Sequence, residues 1–481
     1  MKLKNNRSIY RYQMIQQRIL SSLFIVLSIS KASISAEWDN AFGVGFDFFY
    51  VDNITLAPLG NEESQYVAQI SPFLSVQGEG GRARLDLDYQ MQYLNYQSSD
   101  IDNEIYHQLY ANANAEFIEQ FFFLDLSAAN FQSAITGAVS IPQDNISITD
   151  NRTNVTTTTI SPYINTRVFY KADLLIRYSL VNTKYDEFDD IQPDTENKNY
   201  LAELSTSNLG APLDWRLRYS RNELNTNLVE TNYYEESSFT LFYNISSQFI
   251  PYTTIGDETN KIVDTSFDEG GMFWNVGLIW RPTPRTTITG EHGERFYGNS
   301  NAFSWVTIGK RTNININYTE EVTNTGQVFA GQTSPAEAPP GSENEFTPIS
   351  IRPYLLKRLE SNIQYDYSKT SLNWYLFNEK RAYLTGGGED KSYGTAINWE
   401  WTLTDRTSSG LTAGWQRLQS ELPTLLDNEL LNIDLSIDHI TSDRLVSSIT
   451  YRYLKQHSNF QQNNYEQNSI SANITLLFDN N

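Results

Sequence analysis

The residues that could carry chemistry in this 481-residue sequence are few, and histidine is the first to consider. The chain has four histidines and no cysteine, which excludes disulfides, thiolate metal sites and a cysteine nucleophile. Only His292 lies in an acid-rich segment, Glu291–Arg295, and a catalytic histidine needs an acidic partner. However, His292 alternates with Ile288 and Gly290, which places it on the apolar face of a strand. We therefore predict no catalytic residue and no enzymatic activity.

A second candidate is an acidic stretch with no basic residue in it, residues 186–196. Calcium prefers oxygen ligands of this kind. The spacing matches no EF-hand, however, and a run of like charges usually forms a solvated loop. We predict no metal ion and no cofactor, with calcium binding as the less favoured alternative. The acidic residues are Asp186, Glu187, Asp189, Asp190, Asp194 and Glu196.

Composition narrows the class of protein. With 35 Lys and Arg against 57 Asp and Glu, the formal net charge is −22, which argues against a nucleic-acid partner because phosphates require a basic surface. The chain has 30 Tyr, 25 Phe and 9 Trp, although its mean hydropathy is −0.46. This combination is unusual for a soluble globular protein.

The N-terminus predicts export. A basic segment is followed by an apolar core at Ile19–Ile29 and then by small residues up to Ala36. This order is that of a cleaved signal peptide, and the apolar core is too short to be a permanent transmembrane helix. We assign residues 1–36 to the signal peptide and residues 37–481 to a single domain. Cleavage leaves 29 basic and 57 acidic residues.

The exported part contains no apolar run long enough for a membrane helix, but apolar and polar residues alternate in segments of about ten residues. In one such segment, residues 83–93, the residues Leu85, Leu87 and Tyr89 alternate with Arg84, Asp86 and Asp88. Aromatic residues lie mostly at the segment ends, where a transmembrane barrel has its interfacial girdles. Comparable segments begin near residues 42, 174, 215, 272, 397, 431 and 470.

Connections of alternating length define the topology. Ten short turns and eleven long loops predict an all-β, single antiparallel transmembrane β-barrel of about 22 strands (about 18 to 24), with both termini at the short-turn end. The least certain strand is Phe249–Glu258. The alternatives, a soluble sandwich, β-helix or propeller, predict glycine-rich repeats or a period that the sequence lacks. The short turns are expected near Gly78–Gly81, Ile118–Gln120, Tyr170–Lys171, Gly210–Pro212, Ser246–Gln248, Pro282–Pro284, Gly309–Arg311, Ser368–Lys369, Thr404–Arg406 and Thr441–Asp443.

Three further predictions concern the lumen. Because the first strand begins about five residues after the signal peptide, we expect a barrel with no plug domain. The proline-rich segment Thr323–Lys357 is expected to be either a mobile surface loop or a segment folded into the barrel mouth. The inward faces of the strands predict a hydrated lumen of mixed charge, with Asp86, Asp88, Glu400, Asp434 and Asp438 against Arg177, Arg216, Arg218 and Arg452.

Four segments carry a resemblance to a known family: Tyr50–Ile54, Ser71–Leu74, Gly277–Thr286 and Gly293–Gly298. With them, the exported chain resembles the PEP-CTERM system-associated outer membrane proteins over its whole length. Members of that family are porin-like β-barrels encoded with exosortase and exopolysaccharide genes, and no catalytic residues are known for them. The resemblance therefore implies no site residues, and it implies a role in the export of envelope polysaccharide.

Together these observations predict a multi-pass protein of the Gram-negative outer membrane. Its expected partners are the lipid bilayer, the barrel-assembly machinery and components of exopolysaccharide export. The favoured function is a channel or scaffold in exopolysaccharide export or envelope assembly. The alternative is a general or solute-specific diffusion porin.

Overall fold

The computed structural model describes residues 37–140, 144–168, 171–186, 194–206, 212–226, 229–261, 270–331, 349–350, 352–421 and 425–478. The predicted signal peptide, residues 1–36, lies outside the described residues. So does most of the acidic stretch considered for calcium.

A single sheet of 22 strands makes up the structure, which confirms the predicted strand number. Phe249–Lys261 is one of these strands, so the least certain strand of the prediction is also confirmed. The strands are β1 (Glu37–Val51), β2 (Gln65–Glu79), β3 (Ala83–Tyr96), β4 (Glu104–Ile118), β5 (Phe122–Ala134), β6 (Arg152–Val168), β7 (Ala172–Tyr185), β8 (Thr195–Thr206), β9 (Leu213–Thr226), β10 (Val229–Tyr243), β11 (Phe249–Lys261), β12 (Gly270–Thr283), β13 (Thr286–Arg295), β14 (Gly298–Ile308), β15 (Thr312–Thr323), β16 (Tyr354–Tyr367), β17 (Thr370–Tyr383), β18 (Glu389–Thr404), β19 (Thr407–Ser420), β20 (Leu426–Ser442), β21 (Leu445–Ser458) and β22 (Tyr465–Phe478).

The sheet closes on itself because the first and last strands pair. Strands β1 and β22 run antiparallel in a register from Phe42↔Phe478 to Val51↔Ser469. At one end of this pairing, the rings of Phe42 and Phe478 lie 5.6 Å apart, centroid to centroid. Closure leaves no strand edge exposed to lipid, which is the condition for a sheet to span a bilayer.

The alternation read from the sequence separates an outer from an inner face. On β20 the apolar residues Leu435 and Ile437 are exposed on the outside, whereas Asp434 and Asp438, which flank them in the sequence, lie on the inner face. The same pattern exposes Trp399 and Trp401 on β18. An apolar outer wall of this kind is the surface that a lipid bilayer requires.

The connections divide the barrel into two ends. Eight of the ten short turns predicted from the sequence are confirmed, and they lie at what we call the turn end, together with the start of β1 and the end of β22. The predicted turns at Tyr170–Lys171 and Gly210–Pro212 lie partly outside the described residues. The other eleven connections form the loop end. The prediction that all eleven are long is wrong, because only two residues separate β9 from β10, and only two, Phe296 and Tyr297, separate β13 from β14.

The long β15–β16 connection contains a short helix, α1 (Thr325–Ala330). Its first turn is capped by Asn324, whose side chain accepts a hydrogen bond from the backbone N–H of Gln327 at 2.9 Å. Among the described residues, no helix is long and apolar enough to cross a membrane. The only other helical element in the described chain is a 3₁₀ turn, Gln461–Asn463.

Burial is uneven along the lumen. On β18 the inner-facing residues Asp390 and Ser392 near the loop end are buried, whereas Glu400 near the turn end is exposed. The same contrast holds on β20, where Asn428 and Asn432 are buried and Asp438 is not. The loop-end half of the lumen is therefore filled by other parts of the chain, contrary to the expectation of an unplugged barrel.

The two faces of β22 allow a test of which side of the sheet contacts the lipid. Ile474 is 50% exposed on the outer wall, whereas Thr475 faces the lumen and donates a hydrogen bond to Asn473. We expect Ile474→Lys to destabilise the lipid-embedded barrel by about 2–4 kcal/mol, because a charge on the lipid face is costly. Thr475→Lys is the control and should cost much less. Denaturant titration in lipid vesicles measures both, and equal effects would contradict the assigned orientation.

Candidate functional site

Two connections turn into the lumen at the loop end. The first inner loop, residues 135–151, joins β5 to β6. Its Asn145 and Ser147 are fully buried. The main chain of Gly137 and Ser140 accepts hydrogen bonds from Asn428 on β20 at 2.6 Å and from Tyr465 on β22 at 3.1 Å. These partners lie on the inner face of distant strands, so the first inner loop crosses the barrel mouth.

The second inner loop, residues 324–353, joins β15 to β16 and crosses the mouth in the other direction. Phe329 of α1 is 2% exposed and packs edge-on against Phe131 of β5, with ring centroids 5.3 Å apart. The carbonyl oxygen of Gly326 accepts a hydrogen bond from Thr183 on β7. The expectation that this proline-rich connection folds into the barrel mouth is thus confirmed for its described parts.

Each inner loop begins where its strand separates from the preceding strand. Strands β4 and β5 pair only as far as Leu109↔Asn130, although β4 extends back to Glu104 and β5 on to Ala134. Strands β14 and β15 likewise pair only as far as Phe303↔Tyr318. We call these two unpaired stretches the β4–β5 seam and the β14–β15 seam. In both cases the strand that carries the loop stays paired with the strand that follows it.

Side chains bridge the β4–β5 seam. Gln132 of β5 donates a hydrogen bond to the carbonyl oxygen of His107 on β4 at 3.1 Å. Asn145 of the first inner loop donates to Gln132 at 3.0 Å and to Gln92 at 2.9 Å. These side-chain bonds take the place of the backbone bonds that a continuous ladder would have. One of the donors, Asn145, belongs to the first inner loop.

Arginines on the inner wall pair with carboxylates of neighbouring strands. Glu379 of β17 lies between Arg381 at 2.6 Å and Arg358 of β16 at 2.6 Å, and both Glu379 and Arg381 are buried. Similar clusters join Arg295 to Glu236 and Glu258 at 2.6 and 2.8 Å. The predicted lumen of mixed charge is therefore a wall of paired charges; Arg177 with Asp125, Arg216 with Glu203 and Arg452 with Asp434 are further pairs.

Between these clusters, amide and hydroxyl groups line the wall. Asn373 donates to Asn362 on the neighbouring strand at 2.7 Å, and Asn398 donates to Thr412 at 3.1 Å. Asn317 donates to Asn315 at 2.9 Å within β15. Amides and hydroxyls both donate and accept hydrogen bonds. A wall of this kind can therefore bind uncharged polar groups as well as water.

The structure places the other sequence candidates as follows. His292 lies on the outer wall, where its ring contacts Trp274 edge-on and its Nδ1 hydrogen-bonds Asn301 at 2.9 Å. Its expected position on the lipid-facing side is confirmed. Within the described ranges, no group of three or more histidine or acidic residues could hold a metal ion.

Sequence reasoning missed Glu379 and Arg381 as inner-wall residues. A signal was present, because both alternate with the outward aromatic Trp374 and lie two residues apart with opposite charge. The pairing of Glu379 with Arg358 of another strand could not be read from this pattern, since it depends on the register of β16 and β17. Phe329 carried no periodic signal at all, because it belongs to a loop.

No family model and no curated protein matches the chain. Among solved structures, the FrpB iron transporter of Neisseria meningitidis (F5-1 variant) is 10% identical, with a TM-score of 0.51 over 92% of this chain and 83% of that one. The siderophore receptor PirA of Acinetobacter baumannii is 8% identical, with a TM-score of 0.48 over 92% of this chain and 81% of that one. At these identities the likeness concerns the fold alone. The chain has the fold of outer-membrane β-barrels.

This comparison corrects one part of the predicted fold class. The structural neighbours are TonB-dependent receptors, whose barrels contain a plug domain, so the prediction of a barrel with no plug domain is wrong. The reasoning failed because it derived the content of the lumen from the position of the first strand. In the described part of this chain, the two inner loops are what fills the mouth.

The buried cluster around Glu379 provides a test of the inner wall. Glu379→Gln leaves Arg381 and Arg358 without the carboxylate between them, and breaking a buried ion pair costs about 3–5 kcal/mol. Glu360→Gln is the control, because Glu360 also contacts Arg358, at 3.3 Å, but its side chain is 36% exposed, so we expect at most about 1 kcal/mol. Urea unfolding of the refolded barrel measures both variants. Equal losses would contradict the described cluster.

Proposed function

We propose that this protein is a non-enzymatic, gated outer-membrane channel for polyhydroxylated solutes. The observation that carries this proposal is the crossing of the mouth by the two inner loops, above a lumen lined by polar groups. A channel that admits solutes must be able to move these loops.

The loop contacts fit a gate. The first inner loop is attached by polar contacts, such as the bond from Gln456 to the carbonyl oxygen of Ala138 at 2.9 Å, and by the buried side chain of Ile146. Such a bond contributes only about 0.5–1.5 kcal/mol net, because water can replace either partner. The second inner loop adds the burial of Phe329, worth about 1.5–3 kcal/mol. Contacts of this strength hold a loop in place and still allow its release.

The seams support movement of whole hairpins. Each loop-bearing strand is separated from only one neighbour, so its hairpin, β5–β6 or β15–β16, is free on one side near the loop end. Backbone groups along such a seam gain partners when the ladder closes. Outward movement of a loop and closure of its seam are therefore expected to occur together.

The wall chemistry supports the class of solute. The paired arginines leave little net charge to select ions strongly, and the amides around Asn362 and Asn398 can exchange hydrogen bonds with sugar hydroxyls.

The resemblance to the PEP-CTERM system-associated family supports exopolysaccharide export as the setting. Disruption of the gene should then reduce extracellular polysaccharide; unchanged polysaccharide together with reduced uptake of a small solute would favour the diffusion porin.

The gate is tested by removing the inner loops. We expect replacement of residues 137–149, or of residues 326–350, by short Gly-Ser linkers to raise single-channel conductance in planar bilayers several-fold. The double replacement should raise it further, because the loops cover different sectors of the wall.

The matched control replaces residues 60–63, which are exposed at the loop end, by a Gly-Ser segment of equal length. Its conductance should equal that of the unmodified protein. If the double replacement conducts no better than this control, the protein is not a loop-gated channel, and a scaffold role is favoured.

A cysteine pair tests the coupling of loop and seam, because the chain contains no cysteine. Continuing the register of Leu109↔Asn130 would place Ile105 opposite Ala134. We expect the disulfide of Ile105→Cys/Ala134→Cys to form only when the seam closes and then to hold the channel in a conducting state until it is reduced. Ala111→Cys/Ala128→Cys joins residues that are already paired and should cross-link without changing conductance. A seam disulfide that leaves the conductance unchanged would contradict the coupling.

A further inference from the structure

Arg152, the first residue of β6, fastens the first inner loop. Its side chain is buried, with 8% exposed. Its Nη1 donates hydrogen bonds to the carbonyl oxygens of Asn145 at 3.0 Å and Ser147 at 3.1 Å. The same nitrogen donates to the hydroxyl of Tyr106 across the β4–β5 seam at 3.1 Å, and the guanidinium lies over the Tyr106 ring.

The rest of this guanidinium is unsatisfied. Nε and Nη2 of Arg152 are buried and have no hydrogen-bond partner among the residues that the structure describes. No carboxylate of the described chain forms an ion pair with Arg152. Arg452, the other arginine that contacts the first inner loop, differs in this respect: it binds Asp144 of the loop and Asp434 of β20, both at 2.5 Å. A buried cation without a counter-charge is costly, so this edge of the guanidinium is suited to binding an anion.

The geometry of the unsatisfied edge indicates which anion fits. Nε and Nη2 form one side of the planar guanidinium fork, and this side binds two oxygens of a carboxylate or phosphate in parallel. We propose that Arg152 is a recognition site for the anionic group of an acidic saccharide and that binding there releases the first inner loop. This inference rests on the proposed channel function and narrows its solute to saccharides that carry carboxylate or phosphate groups.

Recognition and release are linked because they use the same side chain. Nε and Nη2 are buried in this structure, so an anion reaches them only when neighbouring parts of the chain move. The segment 144–148, whose carbonyl oxygens accept from Nη1 of the same side chain, is the part that we expect to move. An anion that draws the guanidinium toward itself weakens the two bonds from Nη1 to Asn145 and Ser147. A neutral sugar offers no such competition, because it does not compensate the charge of Arg152.

The neighbouring contacts define which part of the loop moves. Residues 137–140 remain attached to β20–β22 through Asn428, Gln456 and Tyr465. The segment around Ser147 has further bonds: Gln467 donates to the Ser147 hydroxyl at 3.0 Å and Tyr96 donates to the carbonyl oxygen of Ile146 at 3.1 Å. Its first residues are bound by Arg452, which pairs with Asp144, and by Gln92 and Gln132, which accept from Asn145. Ile146 holds the segment by apolar contact with the inner faces of β1–β3. Release therefore exposes Ser147, which is fully buried in the closed arrangement.

The experiment uses Ser147→Cys as the reporter, since the thiol would be the only one in the chain. The full-length protein in lipid vesicles is treated with a water-soluble maleimide, alone, with oligogalacturonate or with a neutral galacto-oligosaccharide of equal length. We expect oligogalacturonate to raise the labelling rate at least several-fold and the neutral sugar to leave it unchanged. A sugar phosphate serves as a further probe of the same anionic chemistry.

Variants of Arg152 and Arg452 in the Ser147→Cys background decide the assignment. Arg152→Gln should abolish the response to oligogalacturonate, and Arg152→Lys should retain at most a small part of it, because lysine keeps the charge but lacks the fork. Arg452→Gln should loosen the loop and raise the basal labelling rate, yet the response should remain. Absence of a response in the Ser147→Cys protein, or an undiminished response in Arg152→Gln, would overturn the inference. A loop-deleted barrel that still conducts would show that the channel proposal survives that failure.

Discussion

The structure depends on one constraint, which is that a sheet exposed to lipid cannot leave backbone N–H and C=O groups without partners. The pairing of β1 with β22 meets this constraint by closing 22 strands into a ring. Closure fixes the alternation of every strand, because a shift by one residue would turn the apolar face inward. The outward position of Ile474 and the inward position of Asp434 both follow from it.

The same constraint explains why the two seams lie where they do. In two places the ladder ends early at the loop end, above Leu109↔Asn130 and above Phe303↔Tyr318, and at the first of these breaks side chains take over the missing bonds. Gln132 bonds the carbonyl oxygen of His107, and Asn145 adds a bond from the loop. The strands of the wall and the first inner loop therefore share hydrogen bonds. Movement of this loop changes the hydrogen bonds of the wall.

Charged side chains inside the lumen also require partners. Arginines that face the interior pair with carboxylates of adjacent strands, as Arg358 does with Glu379 and Arg452 with Asp434. Register places these partners side by side, and each pair offsets the cost of removing a charge from water. Arg152 departs from this rule, and it lies at the point where the first inner loop meets the wall. A buried charge without a partner at such a junction favours a role in binding over a role in stability.

The sequence by itself determined the sheet, because alternation, girdle aromatics and turn residues are local features. It predicted the strand number, the short turns, the outer face and the outward position of His292. Only the tertiary structure decided what the lumen contains. The contacts of Phe329 with Phe131 and of Asn145 with Gln92 join residues far apart in the chain, and loops have no period from which such contacts could be read. For the same reason the expectation of an unplugged barrel failed: the occupants of a lumen are set by which loop reaches which inner wall, and this depends on closure of the whole ring.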